Sequence, residues 1–179
     1  LMKKIKKALI SISNKKNLYL LLKNLAKFKI QLISSGGTYK EIKKLGFKCQ
    51  EISKYTGSPE ILGGRVKTLH PKIHAGILNK RNNKSHQKDL IKNNFEKIDL
   101  VIVNFYPFEK NLESTNNHNK IIENIDVGGP TMVRAAAKNY NDVTVITNSK
   151  QYNELIKELN SNKGSTSLYF RQKMSEEAF

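Results

Sequence analysis

The eight residues from Ile98 to Phe105, IDLVIVNF, constrain the fold more than any other stretch. The run is almost continuously apolar. A strand with one wet face alternates apolar and polar residues, whereas a continuous apolar run has to be covered on both faces, as in a parallel sheet. Parallel neighbours need long crossovers, usually helical, and the rest of the chain supplies them. Residues 5–13 (IKKALISIS) form an apolar strand, and in 14–28 Leu18, Leu21, Leu22, Leu25 and Phe28 recur at helical spacing, with Asn14 or Ser13 as N-cap. A second strand spans 30–35 and stops at Gly36-Gly37. A short helix over 38–46 ends at Gly46, and a third strand spans 47–53. Residues 84–94 read as a surface helix, NKIIENID is helical, and Pro130 suits the first turn of a helix through Asn139. DVTVIT is the last clear strand, followed by helices over 149–160 and from 165. Strands alternating with helices make this an α/β three-layer sandwich with a mostly parallel central sheet.

At 179 residues the chain holds one domain with a sizeable core. The basic start, LMKKIKK, precedes an apolar run too short for a secretory signal, and no run approaches membrane-span length. With Cys49 as the single cysteine, no internal disulfide forms, and a cytoplasmic location is expected. A net charge of +17 invites a nucleic-acid reading. The cations are 28 Lys against 4 Arg, scattered along the chain among many Asn and Ile. That pattern is genome bias, so no specific nucleic acid is expected.

Four stretches bear chemistry. Strand one ends in Ser11-Ile12-Ser13-Asn14-Lys15, and strand two in Ser34-Ser35-Gly36-Gly37-Thr38. Both run into helices, whose free N–H groups attract phosphates, and ligands of open α/β sheets bind at such strand ends. Neither matches a dinucleotide or Walker A fingerprint. The third is GRVKTLHPKIHAG, inside a long irregular segment (54–72), where Arg65, Lys67 and Thr68 group donors suited to a phosphate or an oxyanion. His70 and His74 are four apart, but Pro71 holds His70 extended and no third ligand is near, so both are read as structural and no metal is expected. In the fourth group, Asn104 and Tyr106 leave the buried strand, and Asp126 precedes Gly128-Gly129 and a helix carrying Arg134 and Lys138 on one face.

These stretches, with YTGSPEILGGRVKTLHPKIHAGIL, IDLVIVNFYPF and ENIDVGGPTMVRAAAKN, resemble one family over nearly the whole chain. It is the N-terminal inosine monophosphate cyclohydrolase domain, methylglyoxal synthase-like in fold, of the bifunctional formyltransferase/cyclohydrolase of purine biosynthesis. The resemblance implies a cofactor-free ring closure of a formylated aminoimidazole carboxamide ribonucleotide. It assigns Lys67, Tyr106, Asp126 and Lys138 to catalysis, with Asp126 and Lys138 sharing one site. It assigns Ser11, Ser13, Lys15, Ser35, Gly36, Gly37, Thr38, Arg65, Thr68, Asn104 and Gly128 to nucleotide and phosphate binding. The partner is a small nucleotide, with a homodimer as the candidate assembly. The family's formyltransferase part is missing, and YFRQKMSEEAF reads as a stop within the last helix of a single cyclohydrolase domain spanning 1–179. Two relatives on the same fold compete. A phosphate-sensing domain would need the two turns but not the four catalytic residues together, and RVKTLHP is not a methylglyoxal synthase signature.

Overall fold

A computed structural model describes residues 1–105 and 117–179. Its centre is a five-stranded parallel sheet of β2 (Lys7–Ile12), β3 (Gln31–Ser34), β4 (Gln50–Glu51), β5 (Leu100–Asn104) and β6 (Thr144–Ile146), in the order β4-β3-β2-β5-β6. The continuous apolar run of residues 98–105 is explained by its place. β5 lies between β2 and β6, and Leu100 through Val103 are buried. β2 occupies the middle of the sheet, with Leu9 opposite both Ile33 and Val101. The helices are α1 (Leu18–Lys27), α2 (Gly36–Lys44), α3 (Ile52–Thr56), α4 (Pro71–Leu78), α5 (Lys84–Asn93), α6 (His118–Glu123), α7 (Gly128–Lys138), α8 (Tyr152–Ser161) and α9 (Leu168–Glu177). They flank the sheet and give the expected three-layer α/β architecture. Ala135, Ala136 and Ala137 are all buried, and α7 packs closely on β5, β6 and α4.

The structure departs from the expected elements in four places. The third strand is only β4, because both ends of its alternating stretch serve as helix caps. Phe47 N–H reaches back to the Ile42 carbonyl behind Gly46 (φ +89°), and the Glu51 carboxylate accepts the Ser53 N–H at 2.9 Å to start α3. The irregular segment holds α3 and then meets α4, which Pro71 opens at its first position. His70 is indeed extended there, and its Nδ1 caps α4 by accepting the Lys72 N–H. α1 is not capped by Ser13 or Asn14. It begins after Asn17, which is left-handed at φ 61°. Finally, β1 (Lys3–Lys4) pairs antiparallel with β7 (Ser165–Thr166), joining the two ends of the chain.

Candidate active site

The chain runs outward from β2 to β3 and β4, then returns to the other side of β2 for β5 and β6. The carboxyl ends of β2 and β5 therefore border a topological switch point, where open α/β sheets leave a crevice. A cleft of about 610 Å³ lies there, walled by the ends of β2, β3 and β5, the loop 63–68 and the segment 122–129.

The strand ends are held by their own side chains. Buried Thr38 donates its hydroxyl to the Ile12 carbonyl at 2.9 Å and accepts the Ile12 N–H at 3.1 Å, fastening α2 to β2. Lys15 donates to the same carbonyl and, at 3.1 Å, to Thr38 Oγ1, and partial burial lowers its pKa against the pull of Glu41. The Asn104 carboxamide oxygen accepts the N–H groups of Ser13 (2.8 Å) and Asn14 (3.2 Å), fixing the turn after β2 to the end of β5. Ser35 is the N-cap of α2, yet its side chain accepts no N–H. The first N–H groups of a helix have no intrahelical partner, so this turn has donors to offer.

The loop 60–67 is a small hairpin. Ile61 and Val66 form a single antiparallel bridge, closed by a tight turn in which Leu62, Gly63 and Gly64 all have positive φ. Arg65 leaves the turn to form a two-pronged ion pair with Glu123 of α6, which raises the arginine pKa and lowers that of the carboxyl. Lys67 points the other way, its amine 3.6 Å from a Glu60 carboxylate oxygen. A Cβ placed on Gly36 would lie 3.9 Å from that amine, so Lys67 reaches the turn after β3.

The start of α7 forms the opposite wall. Asp126 Oδ1 accepts the Gly129 N–H at 2.9 Å, and a Cβ on Gly129 would fall 2.3 Å from the other carboxylate oxygen. A Cβ on Gly128 would fall 2.4 Å from Thr68 Oγ1. The two glycines let the helix end seat against the hairpin wall and its own capping carboxylate.

Of the residues singled out from sequence, Ser11, Ser13, Ser35, Arg65, Lys67, Thr68, Asn104, Asp126 and Gly128 line the cleft. Gly36 and Gly37 open α2 beside it, while Lys15 and Thr38 tie that corner together from behind. Tyr106 lies outside the described residues. Lys138 is not brought to Asp126. It is the last residue of α7, exposed, and not part of the cleft wall. Ten residue steps of helix separate it from Gly128, about 15 Å of rise, because Gly128-Gly129 begin the helix instead of folding back along it. Sequence reading missed Glu60 and Glu123. Glu123 gives no local signal, being 58 residues from its arginine. Nor does Glu60, whose place opposite Lys67 depends on the single Ile61–Val66 bridge.

The comparisons with known proteins agree with this fold. The family model described as "MGS-like domain" matches residues 17–131. The chain belongs to the MGS-like domain family. Beyond that match, the model described as "AICARFT/IMPCHase bienzyme" covers residues 136–179. This MGS-like chain is 51% identical over 174 residues to the bifunctional purine biosynthesis protein PurH of Rippkaea orientalis, covering 96% of this chain and 34% of that protein. It is 43% identical over 177 residues to the PurH of Bradyrhizobium diazoefficiens, covering 99% and 33% respectively. The chain thus spans about a third of the length of the curated relatives it matches, their N-terminal part. Among solved structures, the crystal structure of ForH superposes with a TM-score of 0.85 at 30% identity, covering 97% of this chain and 89% of that one. Among the described residues no helix is long and apolar enough to cross a membrane, and no three His, Cys, Asp or Glu gather to hold a metal.

Proposed function

We propose that this MGS-like chain is an inosine monophosphate cyclohydrolase, the ring-closing part of a PurH-type bifunctional enzyme of de novo purine biosynthesis. One observation carries the reading. Two hydroxyl- and glycine-bearing strand ends, a hairpin with Arg65, Lys67 and Thr68, and the Asp126 carboxylate converge on one cleft. The substrate is 5-formamidoimidazole-4-carboxamide ribonucleotide. Its phosphate sits at Ser11, Ser13, Ser35 and the free N–H groups of Gly36 and Gly37, where a helix start favours an anion. Lys15 and Thr38 hold that corner rigid from behind.

In the reaction the carboxamide nitrogen attacks the formyl carbon and gives up one proton, the formyl oxygen becomes an alkoxide, and that proton, passed on to the oxygen, together with the formamido N–H proton lets the oxygen leave as water and gives the purine ring. Asp126 takes the proton released from the nitrogen. One of its oxygens is fixed by the Gly129 N–H, which holds the other in place. The Lys67 ammonium and the Thr68 hydroxyl stabilise the developing alkoxide, and the Arg65 fork orients the base once it exchanges Glu123 for substrate. Asn104 acts through the Ser13 turn that it clamps. Asp126 works without Lys138, and Tyr106 is kept as a candidate proton donor. The closure needs no cofactor. A cytoplasmic homodimer is the expected form, which light scattering would check. The test of the reading is direct. The protein is incubated with the formylated ribonucleotide and inosine monophosphate is followed by chromatography; failure of the product to form would reject the assignment.

A further inference from the structure

A lysine stem has four rotatable bonds, and holding its amine in one place needs a partner. In the antiparallel register set by Ile61 opposite Val66, the next pair outward is Glu60 opposite Lys67. Residues directly opposite in such a pair bring their side chains together, and opposite charges there attract. The amine and the carboxylate stand 3.6 Å apart, and among the described residues Lys67 is Glu60's one ion-pair partner. That separation exceeds a hydrogen bond, and among the described residues the Lys67 ammonium donates none, so its protons are free there. The other Glu60 oxygen folds over the turn. A Cβ on Gly64 would lie 2.6 Å from it, so the carboxylate reaches its place only because residue 64 has no side chain.

We propose that Glu60 is a positioning residue, whose carboxylate holds the Lys67 ammonium beside the Gly36 turn while leaving its protons free for the substrate's developing oxyanion. The kinetic consequence rests on the cyclohydrolase reading; the arrangement itself does not. Two measurements on Glu60→Gln, Glu60→Asp, Lys67→Ala and the Glu60→Gln/Lys67→Ala double variant separate the two. In the first, all lysines are labelled with limiting acetic anhydride and quantified by mass spectrometry. Lys67 labelling should rise several-fold in Glu60→Gln, return towards wild type in Glu60→Asp, and leave the other lysines unchanged. In the second, Glu60→Gln should lower kcat about tenfold with KM within about twofold, an effect typical in size for contacting residues. The double variant should be no slower than Lys67→Ala alone. Unchanged Lys67 labelling overturns the proposal, whether or not the wild-type protein forms inosine monophosphate. Losses that multiply in the double variant also overturn it, since Glu60 would then act on substrate by itself.

Discussion

Among the described residues lining the cleft, Lys67 is the one cation that donates no hydrogen bond, and Lys67→Ala removes it. Turnover is expected to fall about 10²- to 10³-fold, the usual cost of losing an oxyanion donor. The melting temperature should hold, because Lys67 belongs to a half-exposed hairpin and not to the core. Near wild-type turnover would refute its role. Arg65 makes a different case. Both of its prongs engage Glu123, and a lysine offers a point charge in place of a planar fork. Arg65→Lys should weaken inosine monophosphate binding about tenfold by calorimetry, within the range separating charge-assisted bidentate contacts from single ones. An unchanged affinity would mean that charge alone suffices at this position.

At the scale of elements, the start of α7 depends on the missing side chain of Gly129. Alanine is the better helix former, yet its Cβ would overlap Asp126 Oδ2 and crowd Val103 at 3.1 Å. Gly129→Ala should therefore cost about 1–3 kcal/mol by urea unfolding and lower turnover by displacing Asp126; a gain in stability would contradict the packing described. α4 carries a pH dependence. Burial lowers the pKa of His74 against the opposing Thr68 carbonyl, and among the described residues its buried Nε2 has no hydrogen-bond partner. The folded state therefore takes up its proton later than the unfolded chain. Stability is full above the ordinary histidine value of about 6.5 and is lost as the pH falls through the lower folded value. Melting temperatures measured from pH 7.5 to 5 should decline, and His74→Gln should flatten that decline. Much at this scale was legible in the sequence. Runs apolar on both faces announced β2 and β5, and the Pro130 signal located α7. The hairpin 60–67 was not legible, because one bridge and three positive-φ residues, Leu62 among them, leave no periodic trace. The same holds for β4, where caps consumed a stretch that alternates like a strand. Of the cleft wall, the strand ends, the donors Arg65, Lys67 and Thr68, and Asp126 with its glycine turn were singled out from sequence, whereas the segment 122–125 and the carboxylates facing the two cations were not, since each carboxylate is defined by a partner's position and not by spacing along an element.

At the scale of the molecule, the largest fully buried side chain among the described residues is a charged one. Arg171 of α9 is wholly inaccessible, and it donates to the carbonyls of Leu1, Tyr140, Asn141 and Thr166. Burial lowers its pKa while Asp142 and Glu158 oppose this. Arg171→Met would remove a donor from each of four carbonyl groups, at about 1–3 kcal/mol for each left unpaired where water cannot reach. A large drop in the urea midpoint is expected, and a drop below about 1 kcal/mol would mean that these carbonyls find other donors. The pairing of β1 with β7 has a further consequence, in time instead of energy. Lys3 meets Thr166 across more than 160 residues of chain, and contacts so distant in sequence carry the heaviest loop-closure cost. The parallel sheet can assemble first, and the two ends clasp afterwards. Arg171→Met should accordingly speed unfolding in proportion to its destabilisation while leaving the refolding rate nearly untouched, the signature of a contact absent from the rate-limiting barrier.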